Sequence, residues 1–131
     1  MRRYLLDTNI WIGLARNEHA LVDRLARLAP EQILVCSVVR AELMFGARKS
    51  ERVETNLHGF RQLLQPFESV PFDDAASEHY ALIRASLERA GTPIGANDMM
   101  IASIALARDL VLVTRNQREF IRVVGIRTEA W

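Results

Sequence analysis

Three short apolar runs constrain this chain more than any other feature. Tyr4-Leu5-Leu6, Ile33-Leu34-Val35-Cys36 and Leu110-Val111-Leu112-Val113 contain no charged residue, and they are followed by Asp7, Ser37 and Thr114. Unbroken runs of this length read as strands buried in a sheet, because a helix of the same burial needs more turns. The segments between them carry helical spacing instead. Thr8-Asn9 turns into a helix through about Arg16, and residues 18–29 place Leu21, Val22, Leu25 and Leu28 on one stripe that Pro30 ends. A helix follows Ser37 through Leu43 and Phe45, with Gly46 near its end, and Leu57, Phe60, Leu63 and Leu64 recur at helical spacing after a polar stretch from Arg48 to Asn56. Val70-Pro71-Phe72 reads as a short extended piece. A long helix is expected from about Asp73 to Ala90, closed by Gly91 and Pro93, and another opens at Gly95-Ala96-Asn97. Short strands alternating with helices predict an α/β fold, helices packed around a mainly parallel sheet.

The size of the chain supports one domain, residues 1–131. A chain of this length buries about two-thirds of its unfolded surface and needs neither disulfide nor structural metal to fold. Cys36 is the single cysteine, so no internal disulfide is available. No apolar run approaches the roughly 20 residues of a membrane helix. The stretch from Met1 to Asp7 is too short in apolar residues for a signal peptide, so a cytoplasmic protein with no membrane association is expected. The net charge of +1 excludes a strongly basic arm or an acidic tail, though not a local patch. Of the 17 basic residues only Lys49 is lysine. Genomic base composition explains such a bias, and so does phosphate recognition, for which the guanidinium fork is suited.

Three carboxylates stand out from the polar company that the other acids keep. Asp7 follows directly on the first strand, and ligands of open α/β sheets sit beyond the carboxyl ends of strands. The same residue is also placed to cap the next helix. Glu42 lies four residues after Val38 and three before Phe45, which puts it on their apolar face, unless it leans out to water. Asp98 shares a face with Ile101, Ala102 and Ala105 in the first turn of its helix, where the macrodipole alone also favours an acid. Carboxylates that are costly to bury singly become tolerable when they share a cation. An oxygen-only set selects Mg²⁺, with Mn²⁺ as the alternative, over zinc, and His19, His58 and His79 show no ligand spacing with Cys36. Such a cluster suits phosphodiester hydrolysis. After the last strand, Asn116 and Glu119 are three apart, so one helical turn aims both the same way; a polar cluster at a helix start reads equally well.

Taken in order, Leu6-Asp7-Thr8-Asn9-Ile10, Ala41-Glu42-Leu43-Met44-Phe45-Gly46-Ala47, Pro93-Ile94-Gly95-Ala96-Asn97-Asp98-Met99-Met100-Ile101-Ala102 and Val113-Thr114-Arg115-Asn116 through Phe120 resemble the PIN domain. More narrowly they resemble the VapC toxins of type II toxin–antitoxin modules, whose pattern also extends over Gly125 to Trp131. Any one motif is weak; the four together, spread over the whole chain, are specific. The resemblance implies a three-layer α/β/α sandwich and a Mg²⁺-dependent endoribonuclease, in this subgroup one that cuts tRNA at the anticodon stem-loop. It places Asp7, Glu42 and Asp98 on the family's acidic positions, with Asp7 and Asp98 as metal ligands. Thr8 and Thr114 match small hydroxyl positions near the site and are expected to meet substrate, as are Arg115 and Arg118. Many PIN domains carry Asp where this chain has Asn116, and an amide brings no charge. Glu119 then supplies the fourth carboxylate, one metal is expected rather than two, and Asn116 and Glu119 are expected to reach it through water. The family further implies a homodimer and a VapB-type antitoxin whose tail covers the active-site groove. Leu43, Met44, Phe45, Leu57, Phe60 and Leu64 are candidates for that contact, with simple core as the competing role. Arg84, Arg89, Arg115 and Arg118 are the cations available for a positive rim toward RNA.

Competing chemistries fare worse. A haloacid-dehalogenase-like phosphatase needs an Asp two residues after Asp7, where Asn9 stands, and a response-regulator receiver needs a Lys after its last strand, whereas the sole Lys is Lys49. No nucleophile elbow or paired Cys–His context supports a serine or cysteine hydrolase. A PIN-like module that binds RNA or protein without cutting stays open because of Asn116, against the retention of Asp7, Glu42 and Asp98.

Overall fold

The computed structural model describes all residues from Met1 to Trp131. Five parallel strands form the sheet: β1 (Tyr4–Leu6), β2 (Ile33–Cys36), β3 (Glu68–Val70), β4 (Val111–Val113) and β5 (Thr128–Glu129), in the order β3-β2-β1-β4-β5. Helices α1 (Thr8–Ala15) and α2 (His19–Ala26) connect β1 to β2, and α3 (Ser37–Arg48) and α4 (Val53–Leu64) connect β2 to β3. Helices α5 (Asp74–Ala90) and α6 (Ala96–Ala107) carry the chain back across to β4, and the single turn α7 (Gln117–Phe120) leads to β5. The first two crossovers run one way along the sheet and the last two run the other way. Right-handed crossovers therefore put α1–α4 on one face and α5–α7 on the opposite face. The expected parallel α/β sandwich is what the chain adopts.

The predicted strands are the three central ones. Every residue of β1, β2 and β4 is buried, and with Ile10, Trp11, Ile101 and Ile104 they form one continuous core. The Trp11 indole N–H donates to the carbonyl of Leu6 at 3.0 Å, so the largest side chain of the core also satisfies a strand end.

Some boundaries differ from the expectation. Helix α2 stops at Ala26 rather than near residue 29: the amides of Arg27 and Leu28 bond three residues back, and Ala29 is extended, as a residue before proline prefers. Pro30 instead starts a separate 3₁₀ turn, Pro30–Gln32. Helix α3 continues beyond Gly46 to Arg48. The third strand lies at Glu68–Val70, ahead of the expected piece, because Pro71 has no amide for a ladder; the amide of Phe72 donates to the Ser37 hydroxyl. Strand β5 lacks an apolar run altogether and follows a turn at Gly125, whose φ of 85° suits glycine.

Candidate active site

The strand order reverses between β1 and β4, and the crevice beyond that reversal is where an open α/β sheet places a ligand. The last backbone bond of this seam runs from the amide of Asp7 to the carbonyl of Val113, 2.9 Å. Both side chains that follow turn toward each other. The Thr114 hydroxyl donates to Asp7 Oδ2 at 2.8 Å and accepts from the amide of Asn116 at 2.9 Å. Asp7 Oδ1 accepts from the amide of Thr8 at 2.8 Å, so Asp7 caps α1 and lines the crevice at once. Asp7 and Thr114 are both buried, at 7% and 0% exposure.

Helix α3 starts at the end of the neighbouring strand β2 and brings Glu42 in from its second turn. Glu42 Oε1 accepts from the Thr8 hydroxyl at 2.9 Å, which leaves its other oxygen for the crevice. The apolar face inferred for Glu42 is not where Phe45 lies. The buried stripe of α3 is Val39, Leu43 and Ala47, while Phe45 is 65% exposed with Lys49 over its ring. Helix α7 performs the expected turn: the Asn116 amide donates to Glu119 Oε2 at 3.1 Å and so aims that carboxylate.

Asp98, in the first turn of α6, completes the set and reports on it electrostatically. Burial foremost, then the charges of Asp7, Glu119 and Glu42 and a hydrogen bond with Glu119, push its carboxyl up to about 6. Four acids from four different elements thus share one electrostatic neighbourhood. They do not form a closed cage, since no three of the acids, histidines or the cysteine converge to hold an ion among themselves. Cys36, at the end of β2, is fully buried, and its thiol is raised to about 11 by burial first and by Asp7 and Glu42 in lesser measure. A thiol so protonated is no nucleophile at neutral pH.

The hydroxyls of Thr8 and Thr114 are engaged with carboxylates. Arg118 is exposed. Arg115 pairs through both terminal nitrogens with Glu18, a residue to which no local pattern pointed. Arg84 is tied to Glu88 and Tyr80 along its own helix. Of the apolar residues weighed for a partner surface, Leu43, Leu57 and Leu64 are core. Phe60 lines an open cleft of about 350 Å³ with Ile12, Arg16, Gly46 and Asn56, and this cleft reaches Glu42. No helix is long and apolar enough to cross a membrane.

Against known proteins, the sequence profile of the PIN domain matches residues 4–126. The chain is 41% identical over 131 residues to the tRNA(fMet)-specific endonuclease VapC of Shigella flexneri, covering all of this chain and 99% of that protein. It is 37% identical over 132 residues to Ribonuclease VapC2 of Haemophilus influenzae, covering all of this chain and 99% of that protein. Among solved structures it superposes with a TM-score of 0.93 on VapBC2 from Rickettsia felis bound to a promoter DNA fragment, at 35% identity and 98% coverage of both chains. DNA-bound VapBC from Salmonella typhimurium superposes with a TM-score of 0.93 at 39% identity, covering 100% of this chain and 99% of that one.

Proposed function

The chain belongs to the PIN-domain family, in its VapC branch, and on that premise we propose that it is a metal-dependent endoribonuclease toxin that cuts tRNA at the anticodon stem-loop. The observation that carries this reading is the shared electrostatic neighbourhood of Asp7, Glu42, Asp98 and Glu119 by the crevice where β1 and β4 part: Thr114, Thr8 and Asn116 orient three of the acids, and the other acids help to raise the carboxyl of Asp98.

The donor set fits a hard divalent cation. All the groups are oxygens, their mutual repulsion favours a positive charge among them, and the two oxygens of Asp7 each keep a lone pair beyond the bond they accept. Because no three groups converge, Asp7 and Asp98 would supply two ligands and water the rest, the habit of Mg²⁺ rather than of a caged ion. When bound, Mg²⁺ or Mn²⁺ supplies polarisation of the phosphate and stabilisation of the leaving oxygen.

The protein's own residues do the positioning. Thr114 fixes the rotation of Asp7, and Thr8 fixes Glu42 so that Oε2 is left to accept a proton from the attacking water. Asn116 brings no charge, yet it has a use: its amide steers Glu119 toward the same centre. A non-catalytic role, which an amide at this position kept open, gains nothing from that arrangement. The positive rim expected of Arg115 and Arg118 would take the flanking phosphates.

A VapB-type antitoxin is the natural occupant of the cleft from Phe60 to Glu42, since a peptide lying there reaches the acids. A homodimer and a cytoplasmic location belong to the same reading. The reading is tested by Asp7→Ala and Asp98→Ala, each expected to reduce tRNA cleavage by roughly a hundredfold or more while the far-ultraviolet circular dichroism stays that of the wild type. Full activity in either variant would refute it.

A further inference from the structure

Seven of the 17 basic side chains are held in ion pairs: Arg2, Arg3, Arg24, Arg84, Arg108, Arg115 and Arg127. Only Arg115 lies in the turn that joins the acidic centre, between Thr114, which bonds Asp7, and Asn116, which bonds Glu119. Its partner Glu18 stands 97 residues away, at the corner between α1 and α2. Both terminal nitrogens of the guanidinium meet both oxygens of the carboxylate. That fork-on-fork contact is the one a phosphate makes with its two non-bridging oxygens.

The two halves of the pair are not equally mobile. The Glu18 amide donates to the carbonyl of Gly13 at 3.0 Å, and its own carbonyl accepts from Leu21 and Val22. The backbone of Glu18 is thus fixed at a helix start, with a side chain shorter than the one through which Arg115 reaches it. The pair also lies partly open, with 44% and 38% of the side chains exposed, and exposed pairs of this kind contribute little and exchange readily. If Arg115 leaves, Glu18 keeps a second cation near it, because Arg16 also acts to hold its carboxyl below the ordinary range, after the larger effect of Arg115.

We infer that Glu18 is a phosphate mimic that masks Arg115 in the free protein, and that a backbone phosphate flanking the scissile bond displaces it when RNA binds. The inference rests on the nuclease reading for the identity of the polyanion. Glu18 then sets RNA affinity without touching RNA.

Glu18→Gln is a safe probe, since it keeps the side chain's shape and the Glu18 side chain makes no capping bond to α2. The measurement is fluorescence anisotropy of a labelled anticodon stem-loop in EDTA, where a metal-dependent nuclease binds without cutting, at several salt concentrations. Glu18→Gln should lower Kd by about two- to fivefold, the factor by which an exposed pair favours its closed form. Arg115→Gln should raise Kd and flatten the slope of log K against log salt by about 0.7, one phosphate contact to a single strand. In the Arg115→Gln background, Glu18→Gln should lose most of its gain. An equal gain in both backgrounds would show a general charge effect and overturn the inference, as would no gain at all. A wild-type protein that binds this RNA but cuts no natural tRNA would overturn the nuclease reading alone, with the masking still decided by the Kd comparison. A protein that does neither would overturn both.

Discussion

Thr114 donates its hydroxyl to Asp7 Oδ2 at 2.8 Å across a sequence separation of 107, tying the ends of the two strands between which the sheet reverses direction. The bond is fully buried and continues into the backbone, because the same oxygen accepts the amide of Asn116. One side chain therefore sets the orientation of the acid at β1 and the start of the turn that delivers Glu119. Everything proposed for the crevice depends on that linkage.

Thr114→Val should break it while keeping the volume nearly constant. Asp7 Oδ2 and the Asn116 amide would each lose a partner, a cost of about 1–3 kcal/mol in chemical denaturation. Cleavage should fall with it, whereas Thr114→Ser keeps the hydroxyl and should retain most of the activity. A larger loss in Thr114→Ser than in Thr114→Val would mean that the methyl group, not the bond, matters.

The raised Asp98 carboxyl fixes the direction of a pH effect on the metal-free protein. Its folded value of about 6 lies above the ordinary 3.8, so between those values the folded state holds a proton that the unfolded state has released. Stability from this group is full below about pH 4, declines as pH rises through 6, and levels off above. Asp98→Asn removes the repelled charge and should stabilise the metal-free protein at pH 7.5. A shift of this size, discounted for a group only half buried, corresponds to about 1–2 kcal/mol. The gain should vanish at pH 4. Urea unfolding at the two pH values in the presence of chelator measures it, and a gain independent of pH would contradict the assigned cause.

Mg²⁺ should act in the same sense as that substitution, because it too relieves the repulsion around Asp98. An ion that binds only the folded state raises its melting temperature in proportion to the logarithm of its concentration once the site is saturated. Wild type should show this rise, and Asp98→Asn and Asp7→Asn should show much less. A rise of equal size in all three proteins would place the ion elsewhere.

Gly13 should not tolerate a side chain. A Cβ there would run into the buried Leu21 and crowd the Glu18–Arg115 pair, at 3.0 Å from Glu18 Oε2 and 3.1 Å from Arg115 Nη2. Leu21 is almost fully buried and cannot step aside freely, so Gly13→Ala should cost about 1–3 kcal/mol in chemical denaturation, the range for overpacking.

What could be read before the structure follows from where burial leaves a mark. Strands β1, β2 and β4 are covered on both faces and so appear as unbroken apolar runs. Strands β3 and β5 lie at the sheet edges, with Glu68, Ser69, Thr128 and Glu129 in them, and carry no such trace. Asp7 was visible because it follows directly on a buried strand run, and Glu42 and Asp98 because acids on apolar faces need a reason to be there. Phe45 misled for the complementary reason: helical spacing assigns neighbours to a face but does not say which face is covered. The Glu18–Arg115 pair joins segments 97 residues apart, and nothing local in either one announces the other.

The central claim, that these acids cut tRNA with a bound divalent ion, is tested most directly by incubating a total tRNA pool with the purified protein freed of antitoxin. The reaction is run with Mg²⁺, with EDTA, and with an Asp7→Ala protein prepared in the same way, and the fragment ends are mapped. The account predicts discrete fragments ending in the anticodon stem-loop that require Mg²⁺ and disappear with Asp7→Ala. Fragments that persist in EDTA, or that Asp7→Ala still produces, would contradict it.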